Sequence, residues 1–290
     1  MKVLIIPDIH QLRAGINYAR EHIDEVDKVV FLGDIIDNWD SEKWYDITTH
    51  SPINVVNALG QLKRAFPKKI HWLLGNHDLS YLASSRHDQQ VSGHQWPHHE
   101  AISMALRNYI RDIEIAVKLD GWVFSHAGFT ETWFKNKKLY LPELTKSNLI
   151  LECNRSILDE VENGNESELN FHHCSMSGTG DDPSEGPLWV RPNSLALFPL
   201  YKKQVVGHTE CGPLQVLIKN DDEIKTQIYF LDSREHDCFT VLDTKTGELT
   251  LPKDKKLETE EFTWNKVKNM RKEYREQERK RLAFYRNFCM

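Results

Sequence analysis

The chain has 290 residues, a formal net charge of −6 and a hydrophobic share of 40%, with a mean hydropathy of −0.56. That length buries a substantial core, and the acidic balance gives no reason to expect avid nucleic-acid binding by the chain as a whole. No apolar run is long enough to cross a bilayer or to act as a signal peptide, and five scattered cysteines without a Cys-x-x-Cys pair point to reduced thiols and a cytoplasmic protein.

Residues 3–6 form the first apolar run and lead into Pro7-Asp8-Ile9-His10. A helix is expected over 14–22, after which the run 29–32 leads into Gly33-Asp34-Ile35-Ile36-Asp37. Beyond a helix over 53–66, the run 70–74 leads into Gly75-Asn76-His77-Asp78. A helix over 101–112 precedes Val123-Phe124-Ser125 and then His126-Ala127-Gly128; Val205-Val206 leads into Gly207-His208-Thr209. Uninterrupted apolar strands imply burial on both faces. Their alternation with helices is the α/β pattern, in which ligands sit beyond the carboxyl ends of strands. The polar clusters are therefore expected to converge on one crevice.

Residues 160–186, rich in Asn, Ser, Gly and Asp, read as exposed, and 253–261 as a charged linker. The runs 227–231 and 239–242 read as an antiparallel hairpin completing a second sheet. From Phe262 onward, Trp264, Val267, Met270 and Tyr274 recur at helical spacing among many Lys and Arg residues. This describes a basic tail helix that packs one stripe on the main domain, in preference to a nucleic-acid arm.

Hard divalent cations prefer oxygen and imidazole donors, and a pair of them clamps both the attacking and the leaving oxygens of a phosphoryl transfer. Asp8 and His10, two apart on one turn, reach one ion; Asp34, with two carboxylate oxygens, bridges; Asn76, His126 and His208 complete the second ion's shell. Each motif alone occurs by chance, and a lone histidine after a strand is more often structural than a ligand. Their joint occurrence, in this order and each at a strand end, argues for a site.

The series Asp8-x-His10, Gly33-Asp34-x-x-Asp37, Gly75-Asn76-His77-Asp78, His126 and Gly207-His208 resembles the calcineurin-like metallophosphoesterase superfamily over residues 1–242. The resemblance implies a four-layer α/β/β/α sandwich of two mixed sheets flanked by helices, with the metal site at the carboxyl ends of strands. It also implies two divalent metal ions, manganese first, with iron or zinc as alternatives. The catalytic domain is then 1–252, with the linker and basic C-terminal helix at 253–290.

Within the superfamily, Phe124-Ser125-His126-Ala127-Gly128, Leu188-Trp189-Val190-Arg191 and Val205-Val206-Gly207-His208-Thr209 resemble the branch of serine/threonine phosphoprotein phosphatases and bacterial diadenosine tetraphosphatases. That branch implies attack by a metal-bridging hydroxide, His77 as general acid, Asp37 orienting it, and Arg191 with Asn76 on the substrate phosphate. Glu210 stands where many relatives have a second metal-binding histidine. Asn38-Trp39 replaces the branch's Arg-Gly, and Gln11 and Asp78 replace its usual glycine and glutamate. These departures separate the chain from a strict protein phosphatase.

The expected activity is phosphomonoester hydrolysis on a phosphopeptide or small phosphoester, with no membrane partner. The alternative is a nucleotide or nucleic-acid phosphodiesterase such as a dinucleoside polyphosphate hydrolase, and a non-catalytic scaffold ranks third. Trp39, Trp44 and Tyr45 read as core aromatics more readily than as a substrate wall. His94, His98 and His99, and His172-His173-Cys174, read as surface residues because neither group has metal-ligand spacing.

Overall fold

The computed structural model describes residues 1–38, 51–82, 91–165, 167–171, 181–233 and 236–288, with side chains through residue 280. Strand β1 (Lys2–Ile6) divides its apolar side chains between two cores, as the two-residue period of a strand requires. Val3 and Ile5 enter one buried cluster; Leu4 and Ile6 enter another. Strand β2 (Lys28–Phe31) repeats the split, with Val30 in the first cluster and Val29 and Phe31 in the second.

Strands β3 (Ile70–Leu73) and β4 (Ile113–Glu114) extend this sheet in parallel, and β10 (Thr240–Asp243) and β11 (Glu248–Thr250) complete it antiparallel in the order β11-β10-β1-β2-β3-β4. The second sheet contains β5 (Ala116–Leu119), β6 (Trp122–Ser125), β7 (Lys203–Val206), β8 (Leu214–Asn220), β9 (Glu223–Phe230) and β12 (Glu258–Thr263). Its order is β12-β8-β9-β7-β6-β5, again mixed in direction.

Between the sheets, Val3, Ile5 and Val30 meet Phe124, Val205 and Tyr229 in one cluster. Outside the first sheet, Leu4, Phe31 and Trp72 pack against Ile16 of α1 (Ala14–Glu21), Leu59 of α2 (Pro52–Ala65) and Leu106 of α4 (His99–Arg107). The short α3 (Asn76–Leu82) follows β3 directly, and α5 (Glu131–Tyr140) and α6 (Leu149–Asn163) add Trp133 and Ile157 to the same cluster. Outside the second sheet, Val206, Val216 and Phe230 pack with Leu195 of α7 (Pro192–Leu197). The expected four-layer α/β/β/α sandwich is the observed fold. No described helix is long and apolar enough to cross a membrane, and Cys153 and Cys211 are free cysteines.

Three local expectations are corrected. β9 and β10 form no hairpin: β9 already pairs with β7 on one edge and β8 on the other, so β10 crosses to the open edge of β1. The expected linker ends in a strand, because β12 adds parallel to β8 from Glu258↔Leu214 to Thr263↔Lys219, with Phe262 against the outer core. Within 160–186, Leu169, Phe171 and Glu185 are buried; 172–180 lies outside the described residues, as do Trp39, Trp44 and Tyr45.

The tail helix α8 (Trp264–Phe288) follows β12, buries Val267 and sets the Tyr274 ring 5.4 Å from Phe198. Its Arg271 donates to the Leu197 carbonyl and lies over the Phe198 ring at 5.4 Å. The described part of the tail thus packs one stripe on the body, as the helical spacing suggested.

Candidate metal centre

Asp8 and His10 follow β1, Asp34 and Asp37 follow β2, Asn76 and His77 open α3 after β3, His126 follows β6, and His208 follows β7. Left-handed backbone at non-glycine residues gathers in these loops: His10 at φ 40°, Asp34 at 48°, Asp37 at 64° and His208 at 68°. Such conformations cost about 1–3 kcal/mol each and persist only where the surroundings impose them. Here the imposing contacts are specific. His10 N–H donates to the Asp34 carbonyl at 3.0 Å and Gln11 N–H to that of Ile35 at 2.8 Å. The Asp78 carboxyl accepts the N–H groups of Ile35 and Gly75, both at 3.0 Å, and so ties the loop after β2 to the loop after β3.

Two glycines are required for space. A Cβ on Gly75 would lie 2.0 Å from Asp34 Oδ1, and one on Gly207 would lie 2.0 Å from Asp8 Oδ1. The motifs Gly-Asn-His and Gly-His therefore need their glycine because a carboxylate presses against the backbone there.

Asp8, His10 and Asp34 form one group of donor atoms within 4.8 Å of one another, and Asp34, His126 and His208 form a second, so Asp34 belongs to both. Asn76 Oδ1 lies 2.8 Å from His126 Nε2 and 3.0 Å from His208 Nδ1, and these two nitrogens are 3.1 Å apart.

Backbone carbonyls fix the tautomers. His10 Nδ1 faces the Asp37 carbonyl at 2.7 Å, His126 Nδ1 that of Leu32 at 2.9 Å, and His208 Nε2 that of Trp189 at 3.1 Å. Each ring donates its N–H to a carbonyl, so its other nitrogen presents a lone pair to the centre. Burial reinforces this by disfavouring charge on the rings: it lowers the pKa of His10 to about 3, against the charge of Asp34, and lowers those of His126 and His208 as well.

The carboxylates complete the fit. Burial, with Asp232 and Asp34 nearby, raises the Asp8 pKa well above the usual range, and the buried Asp8 Oδ1 has no hydrogen-bond partner among the described residues. Asp78 is pushed up to about 8 by burial and by Asp34. Imidazole lone pairs, an amide oxygen and the Asp8 and Asp34 carboxyl groups converge, a donor set that a divalent cation satisfies by displacing the proton that burial favours on Asp8.

The other sequence-predicted residues stand beside this centre. His77 Nδ1 is 2.9 Å from Asp37 Oδ2, and its Nε2 is 4.0 Å from Asp34 Oδ2. Burial opposes protonation of His77, but the charge of Asp34 and the bond to Asp37 raise its pKa above the usual value. Arg191 Nη1 donates to Thr209 Oγ1 at 3.2 Å. His10, Asp34, Asn76, His77, Arg191 and His208 all line one cleft of about 540 Å³; Asp8 and His126 are fully buried.

Sequence reasoning missed Asp232, Tyr81 and Gln95. Asp232 follows β9, is 2% exposed and lines the cleft beside Asp8. Its signal, an acid directly after an apolar run, was the one used for the other loops. Next to it, the His236 ring centroid is 4.7 Å from that of His10. Tyr81 donates to Asp37 Oδ1 at 2.6 Å and accepts the Gln95 N–H at 2.6 Å, contacts that carry no local sequence signature. His94 and His99 are not isolated surface residues: His94 stacks on Tyr81 at 4.1 Å, and its Nε2 is 3.0 Å from His99 Nδ1.

The family described as calcineurin-like phosphoesterase matches residues 1–211. Among solved structures, the cold-active protein-tyrosine phosphatase of a psychrophile, Shewanella sp., is similar at 16% identity and TM-score 0.50, covering 86% of this chain and 80% of that one. A metallophosphoesterase from Sphaerobacter thermophilus aligns at 14% identity and TM-score 0.41, over 87% of this chain and 86% of that one. The E. coli phosphoesterase Yfce aligns at 13% and 0.35, over 87% and 98%. No curated protein matches the chain. The family match spans every loop that supplies the converging donors, and the chain accordingly belongs to the calcineurin-like phosphoesterase family as a metal-dependent phosphoesterase.

Proposed function

We propose that the cleft binds two divalent cations, manganese by preference, and hydrolyses phosphomonoesters such as phosphorylated serine or threonine side chains. The observation that carries this reading is the membership of Asp34 in both donor groups, since one carboxylate can then bridge two ions. Asp8, His10 and Asp34 would hold one ion, and Asp34, Asn76, His126 and His208 the other. When bound, such cations supply Lewis acidity, neutralising phosphate charge and lowering the pKa of water.

The remaining steps belong to this chain's residues. Arg191 binds phosphate oxygens through its planar guanidinium, and Asn76 orients the phosphate from the floor of the cleft. Asp37 accepts the Nδ1–H of His77, which leaves Nε2 facing the cleft. From there His77 delivers a proton to the departing alkoxide. All of these residues lie within 1–252.

The test is a substrate panel run on manganese-reconstituted protein: a phosphothreonine peptide, phenyl phosphate, diadenosine tetraphosphate, a cyclic nucleotide and a simple aryl diester. Turnover of the monoesters is expected. Rates confined to the diesters and the dinucleotide would overturn the monoester reading in favour of a nucleotide phosphodiesterase.

A further inference from the structure

We infer that Tyr81 is a positioning residue for proton delivery, its phenolic hydroxyl holding Asp37 in the one orientation that aligns His77. The inference rests on the reading of His77 as the proton donor. His77 and Tyr81 are four residues apart on α3, so they project from the same face, one turn apart. Asp37 lies between their polar ends. Its Oδ2 is 2.9 Å from His77 Nδ1, and its Oδ1 accepts the Tyr81 hydroxyl at 2.6 Å. The two carboxylate oxygens thus have separate assignments, and rotation of the carboxylate would break both bonds together.

The tyrosine is itself held from two sides. The Gln95 N–H donates to its oxygen at 2.6 Å, and the His94 ring stacks on it with centroids 4.1 Å apart and planes 13° from parallel. With its oxygen accepting from a backbone N–H, the hydroxyl proton is free to go to Asp37. Burial and the charge of Asp37 raise the phenol's pKa far above its usual value, so the group remains a donor throughout the working pH range. Tyr81 is 0% exposed and so cannot touch substrate; whatever it contributes passes through Asp37. The Gln95 side-chain amide also reaches Asp37 Oδ1, but at 3.3 Å it is the weaker restraint.

The experiment compares the manganese-reconstituted wild-type chain with Tyr81→Phe on phenyl phosphate and on 2,4-dinitrophenyl phosphate. The first substrate needs a protonated leaving group; the second does not. The inference expects kcat on phenyl phosphate to fall about tenfold, a fraction of a general acid's usual contribution, with KM and bound manganese unchanged. On dinitrophenyl phosphate the loss stays below about twofold, and Tyr81→Phe added to Asp37→Asn costs below about twofold more, because the two act as one unit. Equal losses on both substrates, or full additivity with Asp37→Asn, overturn the inference.

Failure of the wild type to hydrolyse any phosphate ester would overturn the functional reading separately. The positioning claim is then decided by the ¹⁵N shifts of the His77 ring: loss of the Nδ1–H tautomer in Tyr81→Phe supports it, and an unchanged tautomer overturns it.

Discussion

Asp8 Oδ2 accepts the backbone N–H of His208 at 2.8 Å, a bond between residues 200 positions apart. It joins the loop after β1, in the first sheet, to the loop after β7, in the second, so the packing of the two sheets sets the donor geometry. Burial and neighbouring carboxylates raise the Asp8 pKa, and a cation relieves that penalty. Dialysis against a chelator should therefore destabilise the protein. Relative to manganese at a hundredfold excess over its dissociation constant, the expected loss is about 2.7 kcal/mol for each ion removed. For a chain of this size the melting temperature then falls by about 4–5 °C per ion. Calorimetry with and without restored manganese checks it.

Gly207→Ala tests the close approach at Asp8. The added methyl would sit 2.0 Å from Asp8 Oδ1, so the carboxylate or the loop must move. Metal affinity should fall about 10–100-fold, as for other changes that disturb the support of a metal ligand. Titration calorimetry with manganese measures the affinity, and far-ultraviolet circular dichroism confirms that the fold persists.

His77→Asn should lower kcat on phenyl phosphate about 100-fold while leaving metal content intact, since the residue is assigned to proton delivery and not to ligation. Metal analysis alongside steady-state kinetics separates the two roles. Unchanged turnover would remove His77 from the mechanism.

Asp37→Asn should move the pH profile in a defined direction. The charge of Asp34 and the bond to Asp37 raise the pKa of His77, so removing the Asp37 charge lowers it. An acid that loses its proton at lower pH stops working at lower pH. The alkaline limb of kcat is expected to shift toward acid, and a profile from pH 5 to 9 reads the shift.

Arg191→Lys should raise KM for phosphomonoesters about tenfold, because an ammonium cannot hold two phosphate oxygens in one plane as a guanidinium does. Singly charged diesters should be affected less. Parallel KM determinations on phenyl phosphate and an aryl diester measure the contrast.

The candidate metal donors were legible because each stands directly after an apolar strand, and parallel strands bring such positions to one edge. His126 and His208 rested chiefly on resemblance, yet the structure sets their facing nitrogens 3.1 Å apart around Asn76. What escaped reading depended on pairings that no local pattern encodes. The runs forming β9 and β10 look like hairpin arms until β8 and β7 occupy both edges of β9. Glu258–Thr263, half charged and mostly exposed with one packed aromatic, matches a linker in composition and becomes a strand only because β8 offers it an edge. Tyr81 and Gln95 acquire their role only where α3 meets the segment before α4, a contact between residues 14 apart with no motif of its own.

The pairing of β1 with β10, from Lys2↔Asp243 to Ile5↔Thr240, has a consequence for how the protein is made. A nascent chain emerging from the ribosome can pair β1 with β2, and β2 with β3, early, yet the other side of β1 stays bare until residue 243 has left the exit tunnel. Until then the strand that leads into Asp8 and His10 presents open backbone donors and acceptors, a template for pairing with neighbouring chains. Chains stalled before this point are expected to be clients of chaperones that shield strand edges.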